Sequence, residues 1–320
     1  MLKIKRAISF AICFSVLCGI IFGNSGVINN FVFAQGEYSV GDTFYYGTYP
    51  QSKAEESDSL KEAAENAVWK SYDYYSGENE EYEPNTYYKT AQMHSGDWMQ
   101  FADFFLDGVK YRAVKCSEYR PFMTGTTTNS SNSYIYKNGY LLNQIYYFKY
   151  EPIEWRVIDP INGLVVCNSI LDSQPFNNYV LLLGNYYYGD EGAASHSSYA
   201  SNYKNSSIRA WLNKDFYETA FSNNQKNNIA VTENLNNDCF PFDSRFCSES
   251  TSDKMFLLSY DDIFNTNYGF DSDESRKLYG TDYAESQGLN AYNASGDYIG
   301  YAGYWLRTAN DNSIGINCVF

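Results

Sequence analysis

The most regular pattern of apolar residues in the chain begins at Ser206 and predicts a short buried helix. Ile208, Trp211 and Leu212 are spaced i, i+3 and i+4, so a helix would place them on one face. Ser206 or Ser207 can accept hydrogen bonds from the free N–H groups of the first turn. We expect the sheets of the protein to pack on this helix.

Three dipeptides in the middle of the chain favour turns with positive φ and therefore predict β-hairpins. An Asp-Gly pair at 107–108 and Asn-Gly pairs at 138–139 and 162–163 each separate two apolar runs. The strand before the third turn alternates between apolar and charged residues, and its apolar side would carry Ile153, Trp155 and Val157.

Shorter patterns complete the predicted architecture. Ser222, with Gln225 three residues later, has the pattern of a capping box and predicts a further helix start. Helices are also indicated at 57–70, after Ser259 and at 281–287, and short strands at 229–232, 255–258 and 304–308. Short helices among antiparallel hairpins and long polar loops indicate an α+β domain.

The first residues have the pattern of a secretion signal. Lys3, Lys5 and Arg6 precede an apolar run at 7–22, and Ala34 ends a small-residue cleavage pattern. An uncleaved membrane anchor is the alternative, but the run is short for a membrane span. We therefore predict that residues 1–34 are a signal peptide that is removed.

The rest of the chain is predicted to be one exported domain, soluble and without a membrane span. It covers 35–320, with a core formed by 35–50 and 146–320 and a hairpin-rich insertion at 51–145. The formal net charge of the whole chain is −15, and an acidic surface repels the phosphates of nucleic acids and anionic lipids. We therefore expect neither as a partner.

The cysteines and histidines indicate neither a metal site nor histidine-based catalysis. Five cysteines follow the predicted signal, and their spacing fits no zinc motif. Cys239 and Cys247 could close a small disulfide loop, since export permits disulfides. Buried thiols are the alternative, and the sequence leaves both open. With only two histidines in the chain, we expect no Ser-His-Asp triad and no multi-histidine metal site.

The carboxylates single out no catalytic pair and no cofactor site. The acidic run at 271–274 lacks the later ligands and the glycine of a helix–loop–helix calcium loop. Asp172 is interpreted as a turn residue rather than a metal ligand, and nothing marks two acids for glycoside hydrolysis. We predict no catalytic residue, no metal ligand and no cofactor; calcium stays open as an alternative, and no motif supports it.

Several stretches, taken in order, carry a family resemblance. They read GDT at 41–43 with GTYPQ at 47–51, FKYEPIEWRV at 148–157, LDSQPF at 171–176, WLN at 211–213 with FY at 216–217, DK at 253–254 with FLLS at 256–259, and WLR at 305–307. Together they resemble an uncharacterised family of secreted bacterial domains, domain of unknown function 6273, over nearly all of the chain after the signal. Two departures are that Thr308 stands where the family usually has Ser, and that the family's closing strand with Gly-Val-Arg-Pro-Ala is missing.

That family is similar to C-type-lectin-like domains of the formylglycine-generating-enzyme type. The resemblance implies an α+β fold with small antiparallel sheets, two or three short helices and long irregular loops. It implies architectural roles for the family-marking residues Trp155, Trp211, Leu212, Phe216, Trp305 and Arg307. A binding face would lie in the loops, where tyrosine rings and polar side chains make contacts, and there we predict Tyr187, Tyr188, Asn310, Asp311 and Asn312.

Three functional hypotheses follow. We predict a secreted, non-catalytic recognition domain that binds a glycan or a protein at or outside the bacterial cell surface. The first alternative is an oxidase-like enzyme of the formylglycine-generating type, which would act through Cys239, Cys247 or Cys318. The second alternative is a truncated, inactive paralogue.

Overall fold

A six-stranded antiparallel sheet is the largest element of the protein. The computed structural model describes residues 38–72, 99–117, 134–174, 176, 202–204, 206–236, 248–289, 301–309 and 316–319. The strands of the sheet are β1 (Thr43–Ala54), β2 (Lys70–Tyr72), β3 (Met99–Leu106), β4 (Val109–Cys116), β5 (Ile145–Asp159) and β6 (Leu164–Cys167). Their order is β1-β5-β4-β3-β2, and β6 pairs with the end of the long strand β5.

Two smaller antiparallel sheets lie in the second half of the chain. One pairs β7 (Thr232–Asn234) with β8 (Thr251–Asp253), and the other pairs β9 (Tyr304–Ala309) with β10 (Ile316–Val319). Strand β9 therefore has a partner in β10. Mixed short helices and antiparallel sheets make this an α+β protein, as predicted.

The helices are short, and most begin at a side-chain cap. They are α1 (Asp58–Glu65), α2 (Tyr134–Lys137), α3 (Ser207–Trp211), α4 (Tyr217–Ala220), α5 (Asn223–Lys226), α6 (Tyr260–Ile263), α7 (Asp273–Arg276) and α8 (Asp282–Ser286), with a π-helical turn at Leu212–Phe216 and a 3-10 turn at Thr266–Tyr268. In the described part of the chain, no helix combines the length and the apolar character needed to cross a membrane.

The predicted central helix is confirmed, and it continues from α3 through the π turn into α4. The Ser206 hydroxyl accepts a hydrogen bond from the N–H of Arg209 at 3.2 Å, which fixes the start of the helix. Ile208, Trp211 and Leu212 are all buried in the main core. The capping box at Ser222 is also present and begins α5.

The predicted hairpins at 107–108 and 162–163 are confirmed, and the one predicted at 138–139 is wrong. The Asp107-Gly108 turn joins β3 to β4, and the turn that ends at Gly163 joins β5 to β6. At the other Asn-Gly pair, Gly139 has φ +84° and ends helix α2 instead. The N–H of Gly139 donates to the carbonyl of Tyr136, and the N–H of Tyr140 donates to the carbonyl of Ile135. This is the Schellman pattern of a helix end.

The apolar run at 255–258 is buried but does not form the predicted strand. One backbone bond reaches a strand, because the carbonyl of Leu258 accepts from the N–H of Arg307 on β9 at 3.0 Å, but no ladder forms there and other backbone groups bond to side chains. The N–H of Met255 donates to Asn213 Oδ1 at 3.1 Å, and the carbonyl of Leu257 accepts from Arg307 Nη1 at 2.6 Å. The predicted helix at 57–70 is also shorter than expected, because α1 ends at Glu65 and β2 begins at Lys70.

The large sheet separates two apolar clusters. Its inner face, represented by Met99, Val114 and Phe148, packs into the main core together with the central helix. Its outer face packs against α1 in a smaller cluster that contains Leu60, Ala64, Phe104, Ala113 and Tyr147. Helix α1 covers only part of the outer face, and this leaves a cleft beside it.

Candidate functional site

The cleft lies between α1 and the outer face of the large sheet, and we call it the α1 cleft. Its volume is about 600 Å³, which lies within the usual range for small-ligand sites. Helix α1 and the segments around it form one wall, and β3, β4 and the start of β5 form the other. The lining residues are Glu56, Lys61, Ala64, Glu65, Trp69, Gln100, Lys115, Asn143, Gln144, Ile145 and Tyr147.

Local capping and packing hold α1 over the sheet. The Ser57 hydroxyl accepts a hydrogen bond from the N–H of Leu60 at 3.2 Å and fixes the first turn of the helix. Leu60 and Ala64, four residues apart, are buried against the sheet. The residues of α1 that line the cleft therefore stand on a helix that is anchored at its start and along one face.

Trp69 provides the aromatic part of the cleft wall. Its indole Nε1 donates a hydrogen bond to the carbonyl oxygen of Ala64 at 2.9 Å, which ties the ring to the end of α1. The ring also packs beside the outer-face cluster and is only partly buried. A half-buried indole with its polar group already bonded offers an apolar ring surface to a ligand.

Three amide side chains contribute hydrogen-bonding groups on the sheet side. Gln100, Asn143 and Gln144 are exposed and line the cleft. Asn143 has φ +62°, and its N–H donates to the carbonyl of Cys116 at 2.7 Å. Asn tolerates this left-handed conformation better than most residues. Each amide presents both a donor and an acceptor, as hydroxyl-rich ligands require.

The charges that line the cleft are balanced. Lys61 and Glu56 form a half-exposed ion pair at 2.6 Å, and the hydrogen bond to Glu56 raises the pKa of Lys61. Glu65 and Lys115 provide one further charge of each sign. Lys115 is half-buried. The cleft is therefore polar but locally neutral, although the whole chain is acidic.

The family-marking residues occupy the core rather than the cleft. Arg307 donates from Nη1 to the carbonyl of Leu257 at 2.6 Å and to Asp262 Oδ2 at 2.8 Å, and from Nε to Asn236 Oδ1 at 3.0 Å. These contacts join β9 to α6 and to the segment after β7. Also buried are Trp155, Trp211, Leu212, Phe216 and Trp305.

The loop residues predicted from the sequence lie outside the described part of the chain. These are the proposed contacts Tyr187, Tyr188, Asn310, Asp311 and Asn312, and the proposed disulfide partners Cys239 and Cys247. Among the described cysteines, Cys116 and Cys167 are buried. For Cys318 the backbone of β10 is described, and its side chain is not.

The acidic residues considered for a metal have protein partners. Asp172 is buried and accepts hydrogen bonds from the hydroxyl of Tyr49 at 2.6 Å, from the N–H of Ser173 at 2.7 Å and from Gln174 Nε2 at 3.1 Å. In the run at 271–274, Glu274 pairs with Lys277 at 2.7 Å. Within the described residues, no three side chains of His, Cys, Asp or Glu are grouped to hold a metal ion.

Sequence reasoning missed the cleft because its residues are distant in the sequence. Glu56 lies near the start of the predicted hairpin-rich insertion at 51–145, and Tyr147 lies just beyond its end. Trp69 was included in the predicted helix at 57–70, where its position gave no indication of a cleft. A usable signal was a tryptophan directly after a helix whose exposed side is rich in charged residues.

The second half of the chain matches one family model. Residues 177–319 match a family described as Domain of unknown function (DUF6273), which supports the resemblance to an uncharacterised domain family. The α1 cleft, formed by residues 56–147, lies outside the matched stretch. Neither the curated proteins nor the solved structures gave a match to the chain.

Proposed function

We propose that the protein is a secreted, non-catalytic recognition domain that binds a glycan at or outside the bacterial cell surface, with the α1 cleft as its binding site. The pattern of a secretion signal in the sequence supports the location, and the cleft supports the ligand class. The single observation that carries the proposal is the Trp69 ring, which is tied to α1 and faces a cleft lined by three amides.

The chemistry of the cleft suits a sugar ring. The C–H groups of a pyranose pack on an aromatic face, while its hydroxyls need donors and acceptors at the edge. Gln100, Asn143 and Gln144 can provide both kinds of group. Because the lining charges balance, the cleft has no strong preference for an ionic ligand. An uncharged or weakly charged oligosaccharide is therefore the best match.

The shape of the cleft favours a glycan over a protein partner. A stable protein interface covers about 800 Å² on each partner and has an apolar, well-packed centre. The α1 cleft is a concave site of about 600 Å³, and its walls carry charged and amide side chains. It can therefore surround a few sugar units, but it offers no broad apolar surface for a folded domain.

The test is a glycan array probed with the secreted chain, with and without calcium, followed by titration calorimetry on any glycan that binds. We expect calcium-independent binding. Trp69→Ala should weaken the binding about tenfold or more, because the stacking surface is lost. Lys115→Gln should weaken it less, because one hydrogen-bond donor is exchanged for another.

Two matched variants separate binding from folding. Stacking requires an aromatic ring rather than the indole N–H. Trp69→Phe should therefore retain most of the binding, although it removes the bond to Ala64. Tyr45→Ala removes an exposed ring on β1, which is not part of the cleft, and should leave the binding unchanged. The proposal fails if a glycan binds equally well to Trp69→Ala, or if a cooperatively folded chain binds no glycan at all.

A further inference from the structure

A second group of charged residues lies on the inner face of the large sheet, near the β3–β4 turn. Asp103 on β3 is paired directly with Arg112 on β4, and Lys110 is two residues from Arg112 on the same side. Tyr150 on β5 contacts all three side chains. This group is separate from the α1 cleft, which is on the outer face.

Each nitrogen of the arginine in this group has a hydrogen-bond acceptor. Arg112 donates from Nε and Nη2 to the two oxygens of Asp103 at 2.8 and 2.9 Å. It also donates to the hydroxyls of Tyr150 at 2.8 Å and Tyr283 at 3.1 Å. Asp103 in turn accepts a bond from the Tyr150 hydroxyl at 2.9 Å. The charges of Arg112 and Asp103 therefore cancel each other.

Lys110 has no comparable partner. Its ammonium lies 3.8 Å from the centre of the Tyr150 ring, and no hydrogen-bond acceptor is in reach among the described residues. Three other half-buried lysines have an oxygen partner, whereas the half-buried Lys115 lines the α1 cleft. These pairs are Lys226 with Glu218, Lys254 with Tyr217 at 2.8 Å, and Lys277 with Glu274 at 2.7 Å. A cation–π contact attracts an ammonium but accepts none of its hydrogen bonds.

The surroundings of Lys110 carry excess positive charge. Burial lowers the pKa of Lys110, and the charges of Arg112 and Lys70 lower it further, against the attraction of Asp103. Lys70 on β2 is paired with Phe101, two residues from Asp103 along β3. With Asp103 neutralised by Arg112, two cationic lysines remain in this part of an acidic protein.

We propose that Lys110 binds an oxyanion, the carboxylate or sulfate group of a ligand, with Lys70 adding to the attraction. The half-buried ammonium would donate its hydrogen bonds to the anion oxygens, and the Tyr150 ring would form one side of the site. The Arg112–Asp103 pair would position Tyr150 and Lys110 without contacting the anion. The proposal does not depend on glycan binding in the α1 cleft.

Partial burial of the charged ammonium, with no salt-bridge partner among the described residues, costs stability in the free protein. The proposal therefore predicts two linked properties of the variant Lys110→Met. The apolar side chain can pack on Tyr150, so the variant should unfold at a higher temperature than the wild type. The same variant should show no response to the anion. A purely structural lysine would give the opposite result, which is a loss of stability.

The experiment follows the lysine side-chain signals of the full secreted chain by NMR as sodium sulfate or sodium acetate is added at constant ionic strength, with chloride as the reference. We expect the Lys110 signal to shift in a saturable way, and the pKa of Lys110 to rise. An anion that binds the charged amine tenfold more tightly than the neutral amine raises the pKa by about one unit. The control is Lys149→Met, which alters an exposed lysine on the neighbouring strand β5.

The outcomes separate the two possible sources of the anion. If only sulfate shifts the Lys110 signal in a saturable way, the ligand is sulfated. If only acetate does so, the ligand carries a carboxylate. If both do so, the site binds oxyanions in general. The proposal is overturned if neither anion shifts Lys110 more than chloride does. It is also overturned if Lys110→Met melts at a lower temperature than the wild type while Lys149→Met does not.

Discussion

Two arginine–aspartate pairs with nearly equal contact distances lie in different parts of the molecule. Arg112 meets Asp103 on the large sheet with an Nε–Oδ1 distance of 2.8 Å, and Arg209 meets Asp253 beside the central helix at 2.7 Å. Both guanidinium groups are buried. The carboxylates differ, because the side chain of Asp103 is 29% exposed and that of Asp253 is only 1% exposed.

Because of this difference in exposure, the pKa values of the two carboxyl groups shift in opposite directions. Burial raises the pKa of Asp253 above its ordinary value, and the attraction of Arg209 and the surrounding hydrogen bonds do not fully compensate. At Asp103 burial acts in the same direction, but Arg112, Lys110 and Tyr150 outweigh it and hold the pKa below the ordinary value. An ion pair therefore cannot be judged from its contact distance alone, because desolvation decides its net effect.

The largest expected effect comes from removing the two arginines. Arg209→Met leaves the carboxylate of Asp253 buried without its cation and should lower the free energy of unfolding by about 3–5 kcal/mol. Arg112→Met leaves Asp103 in contact with water and with the Tyr150 hydroxyl, so the loss should be about 1–3 kcal/mol. Urea unfolding of both variants at neutral pH measures the two losses and shows which is larger.

The order of these two losses is the decisive result. A larger loss for Arg112→Met than for Arg209→Met would contradict the view that desolvation of the carboxylate dominates. The double variant Arg209→Met/Asp253→Leu is a useful control, because it removes both charges. It should recover part of the stability that Arg209→Met loses.

A second, smaller effect is the pH dependence of stability, which should have opposite signs at the two pairs. Asp103 has a lowered folded pKa, so its stabilisation is present above the ordinary value of 3.8 and is lost as the pH falls through the folded pKa. Asp253 has a raised folded pKa, so the folded state binds its proton more readily. Its ionisation removes stability as the pH rises from 3.8 through the folded pKa.

Asparagine variants isolate each contribution. In urea unfolding between about pH 6 and pH 3, the advantage of the wild type over Asp103→Asn should shrink as the pH falls. The advantage of the wild type over Asp253→Asn should grow over the acid range that includes the raised pKa. Parallel pH profiles for the two variants would show that the two carboxyl groups are not shifted in opposite directions.

The sequence allowed good prediction of elements that local patterns specify. The central helix was predicted because Ile208, Trp211 and Leu212 share a helical face and Ser206 can cap it. The hairpin at 107–108 was predicted because an Asp-Gly pair favours positive φ, and the structure shows φ of 51° for Asp107 and 78° for Gly108. In these cases the local preference and the tertiary packing favour the same structure.

The errors arose where one local signal serves two structures. A glycine with positive φ closes a hairpin but also ends a helix, and Gly139 does the latter. The buried run at 255–258 has the composition of a strand, yet its backbone bonds to the side chains of Asn213 and Arg307. The α1 cleft and the unpaired Lys110 depend on contacts between distant segments, which no local pattern contains.

The last expected effect concerns the neutral donors around the two carboxylates. Asn234 Nδ2 donates to Asp253 Oδ2 at 3.0 Å in a fully buried site, whereas the Tyr150 hydroxyl donates to Asp103 Oδ2 at 2.9 Å beside solvent. Water can replace the second donor but not the first. Asn234→Ala should therefore cost about 1–3 kcal/mol of unfolding free energy, and Tyr150→Phe about 0.5–1.5 kcal/mol.

Tyr150→Phe should also move the pKa of Asp103 back towards its ordinary value, which carboxyl NMR titration measures. Equal losses for the two variants would mean that water reaches Asp253 as easily as it reaches Asp103, and the contrast between the two pairs would then need another explanation.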